Sequence, residues 1–163
     1  MTEQPPKDPL ASIEWRPRDT GWVAWVAFLP ILLLLISVPA AGLEGNRWPL
    51  LGDVLIAWVF VGAFGLVVFV PAMVVSLFGA AALKQQFRFG RWLASIGSAA
   101  VVLIVAALTY GIVGEAFTSP ERRDPYSWGP TLSPLSASLV LVPYLAIAVV
   151  NVYVVVRLWK RPV

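Results

Sequence analysis

The chain has 163 residues, 59% of them hydrophobic and only 13% charged, with a net charge of +3. A water-soluble domain carries about 25% charged residues, so charge this sparse cannot cover a water-facing surface and a soluble globular protein is excluded. Neither cysteine nor histidine occurs, which removes disulfides, thiolate metal sites, cysteine nucleophiles and the commonest haem and metal ligand.

In chain order, the first segment is residues 1–20, "MTEQPPKDPLASIEWRPRDT", with its prolines and mixed charge. It reads as an irregular cytoplasmic tail. An apolar run follows from Trp22 to Ala41. The motif "ISVPAAG" at its end resembles a signal-peptidase site, but the run exceeds a typical ~7–15-residue signal core and acidic Glu14 and Asp19 precede it. A retained membrane span is therefore expected. The loop "LEGNRWPLLGD" leads to a second run, Val54–Leu83, with no charge between Asp53 and Lys84. At 1.5 Å per residue that interval makes about 45 Å of helix, so tilt or protrusion must take up the excess over the bilayer. After "KQQFRFGR" come a third run, Trp92–Gly114, the loop "EAFTSPERRDPYSWGPTLSP", and a fourth run, Leu135–Val156.

Each run meets the roughly 20 residues needed to cross a ~30 Å hydrocarbon core. Each must be helical, because an open sheet edge in lipid would leave backbone groups unpaired. Pro30, Pro71 and Pro143 lie inside the first, second and fourth runs, where each frees a carbonyl and permits a kink. Short connections force consecutive helices to lie side by side and antiparallel. The expected fold is all-α: four transmembrane helices in an up-down bundle, over residues 21–163.

Basic residues set the orientation. Lys7, Arg16, Arg18, Lys84, Arg88, Arg91, Arg157, Lys160 and Arg161 fall on one side; only Arg47, Arg122 and Arg123 fall on the other. The positive-inside rule places both termini in the cytoplasm, and on this account the positive charge does not imply nucleic acid. Trp22, Trp25, Trp48, Trp92, Trp128 and Trp159 lie at or near span ends, where indoles anchor in the headgroup layer. The two outer loops share a glycine–glutamate step followed by arginine, tryptophan, proline and leucine, a pattern that either a hairpin duplication or two similarly anchored loops would produce.

The acids lie in the tail or the outer loops, none mid-membrane, and no lysine or histidine stands inside a span to activate a serine. No catalytic residue, metal site or cofactor ligand set is expected, although a bound lipid, quinone or carotenoid needs none. Glu115 closes the series Ala107, Gly111, Glu115, four residues apart and so on one helical face. It is the candidate acid at an outer mouth, in a seam where another helix comes close; the alternative is a solvated helix end paired with Arg122, Arg123 or Arg47. Small residues recur as Ala72, Ser76 and Ala80 in the second run and as Ser95–Ala99 and Ala94–Ser98 in the third, a spacing that brings helices together in lipid. Asn151 shares a face with Tyr144 and Ala148 in a run otherwise of Val, Leu and Ile. An interhelical hydrogen bond is its expected role, to a hydroxyl of the third helix or to a carbonyl freed by a proline. Asn151, Tyr144, Ser76, Ser95 and Ser98 are thus the candidate interhelical or interface polar residues.

The stretch "VPYLA" at residues 142–146 resembles the last helix of tryptophan-rich (TspO-type) translocators. The chain departs from that pattern with Ile147 in place of the tryptophan that usually follows, with Val154–Val155 in place of Leu-Asn, and with four spans rather than five. No family is assigned on it. The expected function is that of a small, non-catalytic membrane subunit packing against a larger transporter, oxidoreductase or motor. The alternative is a homo-oligomeric transporter or channel with its pathway between copies. The Ala/Val/Gly/Arg-heavy composition suggests a bacterial inner membrane.

Overall fold

The computed structural model describes residues 21–44, 49–85, 87–117 and 132–160. The tail and most of the first and third connections, including the paired loop pattern, lie outside the described residues. The described residues form four helices and no strand: α1 (Gly21–Glu44), α2 (Pro49–Lys84), α3 (Phe89–Phe117) and α4 (Pro134–Trp159). All four are long and apolar enough to cross a membrane, which marks a multi-pass membrane protein.

Each helix extends past its expected apolar run. Helix α2 begins at Pro49 rather than near Val54. Proline at a helix start has no N–H to lose, and Asp53 points outward there, so neither residue stops the helix. With 36 residues it is about 54 Å long. Helix α4 starts at Pro134, and the Ser133 hydroxyl caps it by accepting from the Ser136 N–H at 3.1 Å. Such a cap contributes about 1 kcal/mol. Helices α1, α2 and α4 run continuously through Pro30, Pro39, Pro71 and Pro143.

The most extensive interface joins α2 to α3, followed by α1 to α2 and α3 to α4; contacts of α4 with α1 and α2 are smaller. The α2–α3 interface is built on glycine. A Cβ placed on Gly79 would sit 2.7 Å from Cα of Ala94, and one on Gly97 would lie 2.7 Å from the carbonyl oxygen of Ala72. Gly90 lies equally close to the Leu83 nitrogen. Positions that rise along α3 meet positions that fall along α2, so the two helices run antiparallel with their backbones in contact. Buried Ala72, Ser76, Ala80, Ala94 and Ser98 line this seam. Ser95 is only half-buried and Ala99 is exposed, so the second small-residue pair lies off it.

The larger apolar core, centred on Val101, Val105, Val140, Tyr144 and Ile147, is flanked by a smaller one containing Val23, Ala80, Ala94, Val154 and Leu158. Asn151 falls between the two in sequence along the buried face of α4.

Candidate functional site

Three features could carry function: the buried polar groups, the second half of α3, and the cation-rich pole. Among the buried polar groups, Asn151 is 1% exposed and Tyr144 2% exposed, both on the inner face of α4 with Ala148 half-buried beside them. The bond that Asn151 makes is not the interhelical one expected. Its Nδ2 donates to the carbonyl of Ile147, one turn back in the same helix, at 2.8 Å. The physical reason is reach: a short amide already lies beside the i−4 carbonyl of its own helix, as serine and threonine hydroxyls do. Ser37 and Thr109 follow the same habit, bonding to Leu34 and Val105. The hydroxyls of Ser76, Ser98 and Tyr144, all buried, make no hydrogen bond to another described residue.

Of the five candidate polar residues, Ser95 is the one that bonds to another helix. Its hydroxyl accepts from Nε1 of Trp159 at 2.8 Å, joining α3 to α4. A second interhelical bond runs from Nε1 of Trp58 in α2 to the carbonyl of Val140 in α4, at 3.1 Å. The carbonyl that Pro143 leaves without its helical donor is that of Leu139, four residues back, and the indole takes the neighbouring carbonyl, which already serves the helix. The sequence reading did not single out Trp58. The signal was its position: it lies within its span, away from the ends where the six interfacial tryptophans fall, so its indole N–H needs an acceptor in the protein.

The second half of α3 differs from the expected seam. Ala107, Gly111 and Glu115 are exposed, and none of the four described helices buries them. A Cβ built on Gly111 would meet no described atom within 4 Å. The helix buries another face instead, through Val101, Val105, Ile112 and Ala116. Beside the open face runs an apolar groove of about 530 Å³ between α3 and α4, lined by Val102, Ala106, Tyr110, Leu145 and Ala148 among others. Tyr110, 84% exposed, stands at its edge. Glu115 lies in the last turn of α3, at the end of the open face.

At the opposite pole the helix ends are tied by aromatic rings. Trp22 of α1 meets Tyr153 of α4 with ring centres 6.2 Å apart, and Trp92 of α3 packs edge-on against Trp159 at 4.8 Å. The Arg157 guanidinium lies 4.8 Å from the centre of the Trp22 ring. Among the described residues no group of three or more acidic side chains is placed to hold a metal ion. No protein-family model matches the chain, and no curated protein or solved structure shows significant similarity to it.

Proposed function

We propose that the protein is a small non-catalytic subunit of a larger membrane assembly. In this reading it is an up-down four-helix bundle in a bacterial inner membrane, with both termini on the cytoplasmic side. The observation that carries the proposal is the contrast between two uses of glycine. Gly79, Gly90 and Gly97 each lie against the backbone of a neighbouring helix, whereas a Cβ on Gly111, exposed in the second half of α3, would meet no described atom within 4 Å. Glycine costs a helix roughly 0.5–1 kcal/mol relative to alanine. A position that bears this cost with no neighbour among the described residues suits close approach by a helix from outside the chain.

The distribution of charge supports the same reading. Between Asp53 and Lys84 of α2, and between Arg91 and Glu115 of α3, no charged side chain occurs, and α4 has none before Arg157. Ion and solute pathways in membranes are marked by such residues, and these spans offer none.

The test is native mass spectrometry on the protein extracted in mild detergent from its own host. Stoichiometric retention of larger, unrelated chains is expected, with loss of that retention in Gly111→Leu. Recovery as a homo-oligomer would favour the transporter or channel reading, and recovery as a lone chain would remove both. Glu115→Gln separates the two further. It should leave assembly unchanged in a subunit, but alter flux or its pH dependence in a transporter.

A further inference from the structure

The pole formed by the end of α2, the start of α3 and the end of α4 carries Lys84, Arg88, Arg91, Arg157 and Lys160. The acidic residues of the helices, Glu44, Asp53 and Glu115, stand at or near the opposite ends of α1, α2 and α3. Arg157 differs from an ordinary cation at a span end, which sweeps freely through the interface. Its guanidinium is held over the Trp22 ring at 4.8 Å and beside the Tyr153 ring at 5.9 Å, and Nη1 donates to the Tyr153 hydroxyl across a long 3.5 Å. Aromatic rings engage the face of a guanidinium and leave its edge, where the five N–H donors lie, to other partners.

The position of this group selects the partner. Trp22 lies against it, Trp92 and Trp159 pack together at the same end of the bundle, and indoles favour the headgroup level of a bilayer. On its own helix, Val149, Val152 and Val156 are exposed, and Trp25 is exposed one turn along α1. An acyl chain can pass along these residues while its headgroup meets the guanidinium edge. A fork of N–H donors matches two phosphate oxygens. The surrounding cations disfavour a headgroup that brings its own ammonium.

We propose that this pole is a binding site for the headgroup phosphate of an anionic phospholipid, with Arg157 as its fixed contact. Trp22 and Tyr153 position the guanidinium, and Lys160 and Arg91 supply the surrounding positive field. The site belongs to the isolated chain and does not depend on the subunit reading.

The experiment adds phosphatidylglycerol or phosphatidylcholine with identical acyl chains to the purified full chain in detergent and counts retained lipids by native mass spectrometry. The wild-type protein should retain phosphatidylglycerol in clear preference. Arg157→Gln should weaken that retention about fivefold, the usual contribution of one basic residue near an anionic surface. Arg157→Lys, which keeps charge but not the fork, should recover less than half of the loss, and Arg88→Gln should stay within twofold of wild type. Three results would overturn the site: no lipid preference, equal losses for Arg88→Gln and Arg157→Gln, or full retention by Arg157→Lys. A fourth would reassign it to free phosphate, namely binding of millimolar inorganic phosphate without lipid together with displacement of phosphatidylglycerol by it.

Discussion

Trp58 and Asn151 show why a polar group's partner matters more than its burial. In lipid the state that competes with the bundle is a set of separate helices, each already inserted. The Asn151 bond to Ile147 stays within one helix, survives that separation, and so adds little to association. The Trp58 bond to Val140 joins α2 to α4 and exists only in the assembled fold. Trp58→Phe, which keeps most of the ring, should therefore cost about 1 kcal/mol, within the range for interhelical bonds in membranes. Asn151→Val should cost less than about 0.6 kcal/mol, the average for such bonds. Equilibrium unfolding in mixed micelles measures both; a larger loss for Asn151→Val than for Trp58→Phe would contradict the argument.

At the level of elements, the α2–α3 pair depends on the absence of side chains at Gly79, Gly90 and Gly97. A methyl at Gly79 would press on the backbone of Ala94, which cannot rotate away as a side chain could. Gly79→Ala should therefore force the helices apart and lower stability by about 1–3 kcal/mol, the usual cost of overpacking. Gly111→Ala provides the matched control, because open space lies above it. It should leave the isolated protein as stable as before, or more stable by up to about 1 kcal/mol through better helix propensity. Thermal unfolding in detergent distinguishes them. Equal effects from the two would mean that the close α2–α3 approach carries no energetic weight.

For the whole molecule, the segregation of charge sets an orientation that can be read directly. The chain has no cysteine, so an introduced one is the sole thiol label. Gln85→Cys, beside the basic α2–α3 connection, should react with a membrane-impermeant maleimide only after the membrane is opened. Phe117→Cys, at the far end of α3, should react in intact cells. The reverse pattern would place the termini outside and remove the cytoplasmic assignment from the proposed function.

How far the candidate site was legible follows from what each residue's role depends on. The small-residue stripe Ala72, Ser76, Ala80 could be read from spacing because residues four apart must share a helical face, and all three are buried. The stripe Ala107, Gly111, Glu115 has the same spacing, yet it faces outward. Periodicity says which residues stand together, but not which way the helix is turned. The aromatic clamp on Arg157 was invisible for a related reason: Trp22 and Tyr153 lie 131 positions apart in the chain and meet only because α1 and α4 end at one pole.

By itself, then, the sequence determined the number of helices, their approximate limits and their need for a bilayer, because apolar length and backbone hydrogen bonding leave no other solution in lipid. It also determined where the cations gather along the chain. Only the tertiary structure decided the rotation of each helix about its axis, the partner of each buried donor and the glycines that touch a neighbour. Those depend on which backbones approach within van der Waals distance, and in a chain apolar on every side no hydrophobic stripe records that choice in advance.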